Sequence, residues 1–407
     1  MQCGLLGRKL THSYSPQIHS CLGDYSYILY EKEPEQLADF LRTGSFTGLN
    51  VTIPYKKDVI AFCDLLSERA KQLGAVNTIV RQADNTLIGH NTDYFGFLSM
   101  VNHSGLSVCD KKVLVLGSGG ASVTVVAVLQ ALGAKVVVIS RSGADNYENI
   151  GKHTDASVIV NTTPVGMYPN TGESPVDLRL FPYLEGVLDL IYNPSRTKLL
   201  MDAENLGLVA ENGLWMLVAQ AKESSEWFTG RNISDAVIET IYKKLRKQME
   251  NIVLIGMPGS GKSTVGKLLA ERTGKTFVDA DAAIIEKAGI SIPEIFATSG
   301  EEGFRQIETS VLSELGKRSG LVIATGGGCV TREENYSLLH QNGRIIWLQR
   351  DISLLPKDGR PLSQANDLTD MFNKRQPMYE RFADVGVDNN LSPEDTVRRF
   401  LEMEESK

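Results

Sequence analysis

Residues 251–264 read NIVLIGMPGSGKST. An apolar run, Ile252 to Ile255, enters Gly256-Met257-Pro258-Gly259-Ser260-Gly261-Lys262-Ser263 and then a helix-like stretch. In a loop with this spacing the backbone N–H groups wrap phosphates. The lysine reaches the β/γ oxygens, and the hydroxyl after it ligates Mg²⁺. The stretch therefore predicts the first strand, loop and helix of a P-loop domain. Gly259, Ser260, Gly261, Lys262, Ser263 and Thr264 are expected on a nucleoside triphosphate, and Ser263 on the metal. Such a loop normally follows the first strand of its own domain. Here 250 residues of other sequence come before it.

A chain of 407 residues is long for one hydrophobic core, so more than one domain is expected. No stretch of 18 apolar residues occurs, which predicts no membrane span. The start, MQCGLLGRKL, lacks the long apolar core of a signal peptide. Cys3, Cys21, Cys63, Cys109 and Cys329 are scattered without a CxxC pair. That set suits reduced thiols in a cytoplasmic protein and argues against a disulfide framework or a zinc site. The net charge is −7 and no basic stripe is visible, so nucleic acid is not an expected partner. Small-molecule substrates are.

Working outward from residue 251, three blocks of α/β type emerge. Residues 1–102 alternate strand-like segments (SYILYE, GLNVTIP, AVNTIVR) with helical ones (PEQLADFLRTG, VIAFCDLLSERAKQLG). Residues 103–212 carry near-continuous Val/Ile/Leu runs, as in a parallel sheet covered on both faces. Residues 213–248 read as helices that complete the first block. The third block, 251–407, follows with no Gly-, Pro- or Ser-rich spacer. The expected fold is thus an α/β substrate domain, a Rossmann-type domain and a P-loop kinase-like α/β domain.

The middle block opens with VLVLGSGGAS. Gly117, Ser118, Gly119, Gly120 and Ala121 lie between a strand and a helix. Glycines there let the backbone turn tightly and approach a pyrophosphate at the helix N-terminus. The ribose-selecting position, about 20 residues on, holds Ser140, Arg141 and Ser142 where an NAD site would hold Asp or Glu. A guanidinium and hydroxyls favour the 2′-phosphate of NADP(H).

In the front block several polar positions call for a use. In GLNVTIPYK, Asn50 and Thr52 are expected on one strand face and Leu49, Val51 and Ile53 on the other. Lys56 follows Pro54. Asn91, Thr92 and Asp93 cluster before a helix, where an N-cap is the plain reading. Ser13 and Ser15 present alternate hydroxyls.

Taken with SYS, GAVNT, GHNTDYFG, GSGGAS, NTTPVGM and GLWMLVAQA, these segments resemble shikimate dehydrogenase over essentially all of residues 1–248. That family reduces 3-dehydroshikimate to shikimate with NADPH. The resemblance implies that Ser13, Ser15 and Tyr192 take the substrate carboxylate. It puts Thr52, Asn77 and Gln220 on ring oxygens and makes Lys56 and Asp93 the catalytic pair. Gly213 and Met216 fall near the junction of nicotinamide and substrate. Chemistry agrees: hydride arriving at a ketone leaves charge on oxygen, which an ammonium stabilises and protonates. The family's usual Asn-Arg-Thr signature is Ser140-Arg141-Ser142 here, leaving one arginine for the 2′-phosphate.

The third block adds Asp279 and Asp281 in FVDAD, suited to holding Mg²⁺ and orienting a hydroxyl. Arg305 in EEGFRQIE suits a carboxylate. Gly326, Gly327 and Gly328 expose backbone donors, and Arg360 and Arg375 lie near an expected lid. The set resembles shikimate kinase from residue 251 to about 400. That resemblance implies shikimate on Asp281, Arg305, Gly327 and Arg375, ATP touched by Arg360, and phosphoryl transfer to the 3-hydroxyl. Lys262 and Asp281 are the catalytic residues it implies. The lid, WLQRDISLLPKDGRPL, is shorter than usual.

The two resemblances join consecutive reactions, the product of the first being the substrate of the second. Alternatives are a quinate-preferring or NAD-using dehydrogenase joined to the kinase, and a ligand sensor without turnover. The presence of Lys56, Asp93, Lys262 and Asp281 argues against the sensor.

Overall fold

The computed structural model describes residues 1–10, 13–355 and 368–405. Contacts divide the chain into two compact units. The first holds Met1–Gly166, Ser174–Tyr192 and Leu199–Leu245, and the second Met167–Glu173, Asn193–Lys198 and Arg246–Lys407.

The first unit contains two sheets. One has the order β2-β1-β3-β5-β6-β4, from β1 (Gln2–Gly7), β2 (Ser26–Glu31), β3 (Gly48–Val51), β4 (Leu65–Leu66), β5 (Thr78–Arg81) and β6 (Leu87–His90). β5 runs antiparallel to both neighbours, and Leu6, Leu41, Leu49 and Ile79 fill the core beside the sheet. Expectation and structure part here in two places. β3 stops at Val51, because Thr52 and Tyr55 close a turn (Tyr55 N–H to Thr52 O, 3.0 Å). Ile53 is therefore 79% exposed and does not share the buried face of Leu49 and Val51. The expected helix across VIAFCDLLSERAKQLG is also broken. The Asp64 carboxylate accepts from Leu87 N–H at 2.7 Å, which draws Leu65–Leu66 into the sheet as β4. Ser67 then caps a shorter helix, Glu68–Leu73.

The second sheet, β11-β10-β9-β7-β8, is wholly parallel. Its strands are β7 (Lys112–Leu116), β8 (Lys135–Ile139), β9 (Val158–Asn161), β10 (Gly186–Asp189) and β11 (Val209–Asn212). Leu114, Leu116, Ile159 and Val187 are fully buried in its core. β7 lies between β8 and β9, where strand order reverses, so the crevice for a ligand opens at its C-terminal end. Two helices, Leu214–Thr229 and Ala236–Met249, follow β11.

The second unit has one parallel sheet, β13-β14-β12-β15-β16, built from β12 (Asn251–Ile255), β13 (Thr276–Asp279), β14 (Leu321–Ala324), β15 (Gly343–Gln349) and β16 (Val385–Asp388). Val253 and Ile323 face one core layer and Leu254 and Val322 the other. Burial on both faces explains why NIVLI and LVIA read as unbroken apolar runs. β12 sits at the reversal of strand order, and the glycine loop leaves its end.

Candidate active sites

In the first unit Lys56 stands in the turn after β3. Tyr55, 1% exposed, anchors that turn through a hydrogen bond to Lys32 O (2.5 Å), and Lys56 O accepts from Val76 N–H at 2.8 Å. Asp93 is the first residue of helix Asp93–Ser104, not its cap; Thr92 holds the cap position without a side-chain capping bond. The Asp93 carboxylate is free to meet Lys56, and Nζ lies 2.6 Å from Oδ2. Both side chains are largely buried, Lys56 26% and Asp93 13% exposed.

Asn77, just before β5, is 3% exposed. Its Oδ1 accepts from Thr92 N–H at 2.7 Å and its Nδ2 donates to Thr92 Oγ1 at 3.0 Å. Gln220 approaches from helix Leu214–Thr229, its Oε1 3.5 Å from Thr92 Oγ1 and its Nε2 donating to Leu217 O. Gly96 makes this approach possible, since a Cβ there would lie 2.8 Å from Met216 O and 2.9 Å from Gln220 Cβ. Lys56, Asn77, Asp93 and Gln220 thus form one cluster, and Thr92 links its members. Sequence reasoning placed Thr92 only in a polar run.

Ser13 and Ser15 bracket the start of the helix Ser15–His19, and Ser13 Oγ accepts from Ser15 N–H at 3.2 Å. The ring of Tyr14, between them, meets Tyr192 edge-on, centroids 6.2 Å apart. Burial pushes the Tyr192 phenol up, keeping it a neutral donor.

At the end of β7, Gly117 has φ +105° and a Cβ would collide with Thr162 Oγ1, so the turn requires glycine. A Cβ on Gly119 or Gly120 would meet nothing within 4 Å. The protein does not need these two for packing; they leave the helix start (Gly120–Ala131) open, as a pyrophosphate requires. Ser118 is exposed and Ala121 half-buried in the same turn. Opposite, Asn161 is held by Asp189 (Nδ2 to Oδ1, 3.0 Å) and fixes the NTTP turn through Thr163. Ser140, Arg141 and Ser142 follow β8, with Arg141 exposed. Gly213 opens helix Leu214–Thr229, so close to the Leu190 carbonyl that no Cβ fits.

In the second unit the loop after β12 holds Gly256, Gly259 and Gly261 at φ +145°, +83° and +92°. Lys262 Nζ donates to the carbonyls of Gly256 (2.9 Å) and Met257 (3.0 Å). Ser263 Oγ donates to Asp279 Oδ2 at 2.7 Å. One hydroxyl and one carboxylate suit Mg²⁺, which keeps several waters and takes few protein ligands. Asp279 and Asp281 do not share a strand face: Asp279 caps the helix Ala280–Ala288, accepting from Asp281 N–H at 3.0 Å.

Lys262, Ser263, Thr264, Asp279, Asp281, Arg305, Gly327 and Arg375 all line one cavity of about 610 Å³. The Arg305 side chain, 6% exposed, pairs with Glu308 at 2.6 Å and reaches Glu301 at 3.3 Å. Burial pushes the Glu308 carboxyl up while Arg305 pulls it back. Arg305 lies so near Gly328 that a Cβ there would fall on the guanidinium. A Cβ on Gly326 would lie 2.7 Å from Glu308 Oε1 and 3.1 Å from Asp281 Oδ1. Arg375 and Tyr379 both donate to Gly327 O, at 3.2 and 2.5 Å. Glu308 and Tyr379 escaped sequence reasoning; the i,i+3 spacing of Arg305 and Glu308 was the available signal. Arg360 lies outside the described residues.

A cluster of lysine, carboxylate and amide in the same unit as a Rossmann-type turn, and a phosphate loop facing a carboxylate- and arginine-lined cavity, define a two-site α/β enzyme of dehydrogenase and phosphotransferase type. Residues 5–79 match the shikimate dehydrogenase substrate binding domain, and residues 258–404 match shikimate kinase. The chain is 36% identical over 259 residues to the shikimate dehydrogenase (NADP(+)) of Clostridium beijerinckii, covering 59% of this chain and 96% of that one. Shikimate dehydrogenase 1 of Peptoclostridium difficile superposes with a TM-score of 0.56 at 37% identity, over 60% of this chain and 97% of that one. A chorismate mutase/shikimate 5-dehydrogenase fusion from Clostridium acetobutylicum gives 0.58 at 36%, with the same shares covered. The chain belongs to the shikimate dehydrogenase family and carries a shikimate kinase domain at its C-terminal end.

Proposed function

We propose that one chain performs two consecutive steps, reduction of 3-dehydroshikimate to shikimate and phosphorylation of shikimate to shikimate 3-phosphate. NADPH supplies the hydride for the first step, and Mg²⁺-bound ATP the phosphoryl group for the second. Lys56 holds its ammonium at the ketone oxygen, stabilises the charge that develops and gives up the proton. Asp93 fixes the ammonium. Asn77, Gln220 and Thr52 orient the ring, and Ser13, Ser15 and Tyr192 hold the carboxylate. Ser118 and Ala121, with the glycines beside them, receive the pyrophosphate, Arg141 with Ser140 and Ser142 the 2′-phosphate, and Gly213 and Met216 the nicotinamide end. In the second site Arg305, Arg375 and Gly327 bind shikimate and Asp281 orients its hydroxyl. The 256–264 loop cradles the triphosphate, with Ser263 and Asp279 toward the metal.

The observation that carries this reading is the presence of two full side-chain sets in one chain: the Lys56–Asp93 pair at 2.6 Å beside Asn77 and Gln220, and one cavity lined by Lys262, Asp281, Arg305, Gly327 and Arg375. Small-molecule substrates follow from both families, and among the described residues no helix is long and apolar enough to cross a membrane. The test is a coupled assay on the purified chain. Dehydroshikimate, NADPH and MgATP should give shikimate 3-phosphate by mass spectrometry with loss of absorbance at the NADPH band. Without ATP, or with Lys262→Ala, the product should be shikimate. Absence of NADPH oxidation would overturn the first half of the proposal, and unphosphorylated shikimate with ATP present the second. Parallel runs with quinate and NAD⁺ separate the alternative specificity.

A further inference from the structure

Beneath the reduction site lies a closed set of polar side chains that the mechanism above does not use. Ser224 is fully buried, one helical turn beyond Gln220. Its hydroxyl meets Asn50 Nδ2 at 2.8 Å, Thr92 Oγ1 at 2.9 Å, the Gln220 carbonyl at 2.9 Å and Thr78 Oγ1 at 3.0 Å. Asn50 is 5% exposed, and Thr78 and Thr92 are not exposed. They come from β3, from β5 and from the residue before helix Asp93–Ser104. A polar group that deep must find partners, and a network that finds them all fixes its members in place.

Groups that can only donate or only accept fix most of the proton directions, and the shorter contact decides the rest. Thr92 N–H can only donate, so the atom facing it at 2.7 Å must be the oxygen of Asn77. The Asn77 nitrogen then gives one hydrogen to Thr92 Oγ1, at 3.0 Å, and keeps one for the cleft. Asn50 Oδ1 is taken by the Tyr27 hydroxyl at 2.7 Å, so Asn50 also faces Ser224 with N–H. The Gln220 carbonyl can only accept, so it receives the Ser224 proton. Ser224 then has two lone pairs: Asn50 N–H fills one, and the other is assigned to Thr92 O–H, which at 2.9 Å is closer than Thr78 O–H at 3.0 Å. Thr78 passes its proton to Asn77 Oδ1 at 3.2 Å. Every donor has an acceptor, and the chain Asn77 to Thr92 to Ser224 to Gln220 runs in one direction.

We infer that Ser224 is a positioning residue for the reduction: as the acceptor for Thr92, it holds the Asn77 amide with N–H toward the substrate and ties that amide to the helix bearing Gln220. This rests on the reading of Asn77 as a substrate contact. Without the Ser224 oxygen, the acceptors left for the Thr92 proton are Thr78 Oγ1 at 3.2 Å, Asn77 Oδ1 at 3.3 Å and Gln220 Oε1 at 3.5 Å. The last two disturb the amides that the substrate meets, and the first reaches the Asn77 amide through the Thr78 hydroxyl bonded to it.

The test is steady-state kinetics of Ser224→Ala, Asn77→Ala and the double variant in the full chain, with the kinase rate of each sample as the reference for intact protein. Ser224→Ala should raise the KM for dehydroshikimate about tenfold, the loss of roughly one buried hydrogen bond. The KM for NADPH should not move. The double variant should be no worse than Asn77→Ala, because the serine acts through that amide. Ser224→Cys, close in volume and a poor acceptor, should repeat the effect if the alanine variant does not fold. A raised KM in Asn77→Ala with none in Ser224→Ala and Ser224→Cys overturns the inference alone, as do effects that multiply in the double variant. An unchanged KM in Asn77→Ala overturns the reading of the site and the inference with it.

Discussion

Replacing Lys56 removes the ammonium placed against Asp93, and the structure sets the size of the effect. Nζ is 2.6 Å from Asp93 Oδ2, and neither side chain is more than 26% exposed. A cation about 4 Å from a developing alkoxide, at an effective dielectric of about 20, is worth ~4 kcal/mol, or about 10³-fold in rate. A positioned general acid contributes roughly 10²–10⁴-fold. The two figures describe the same ammonium and are not to be multiplied. Lys56→Met keeps most of the side-chain volume and should lower kcat for dehydroshikimate reduction by about 10³-fold. The assay follows NADPH absorbance at saturating substrate, with the shikimate kinase rate of the same sample measured alongside. That rate should stay at the wild-type level, since the phosphotransfer cavity is built from other residues. A kcat within tenfold of wild type, with the kinase intact, would refute Lys56 as the proton donor and return it to being one half of a structural ion pair.

Three further outcomes are expected. Arg141→Ala should erode the preference for NADPH over NADH by roughly 10- to 100-fold through KM, the worth of a charge-assisted hydrogen bond; an unchanged ratio places the selector elsewhere. Gly328→Ala would put a methyl group on the Arg305 guanidinium and should raise the kinase KM for shikimate about tenfold or more, leaving reduction untouched; wild-type kinase kinetics would show that the arginine does not hold substrate. His19 and His90, 1% and 6% exposed, are held by burial at pKa values of about 3 and about 4. The unfolded chain takes up those protons near pH 6.5, so stability is full above that pH and falls as pH drops toward 4. The pair should cost the first unit about 2.5 kcal/mol between pH 7 and 5.5, read as a lower urea midpoint for loss of dehydrogenase activity. His19→Phe should flatten the trend, and an equal pH dependence in that variant would count against the argument.

Much of this molecule could be read from local sequence because its key turns are local. Gly117, Gly256, Gly259 and Gly261 sit at positive φ, a demand that only glycine meets cheaply, and each follows a strand buried on both faces. Asp93 was harder. Its position before a helical pattern suggested a cap, whereas the backbone brings it one step further in and turns the carboxylate to a lysine 37 positions earlier. The strand face assigned to Ile53 failed because a turn, not the pleat, governs residues past Val51. Helical periodicity across residues 59–74 failed because Asp64 bonds to Leu87 and pulls two leucines into the sheet. Ser224 was out of reach of any local rule, since its partners Asn50, Thr78 and Thr92 lie 174, 146 and 132 positions away. A serine on a helix reads as surface until the fold closes over it.

The two lysines at the centre of the two sites differ in their neighbours, and the difference matches the work proposed for each. Lys56 faces a carboxylate, so the pair carries no net charge while the site is empty. When the ammonium gives its proton to an alkoxide, the carboxylate remains to draw another proton to the amine, and the lysine is restored for the next turnover. Lys262 donates to two backbone carbonyls of its own loop, groups that hold an ammonium by their dipoles and cannot take its proton. Those carbonyls fix the ammonium in the cradle where, on the proposed function, a polyanion is to lie. Carbonyls beside Lys56 would leave nothing to reload it. On the proposed function the same side chain would donate a proton in one unit and hold phosphate in the other, and the groups that meet it differ accordingly.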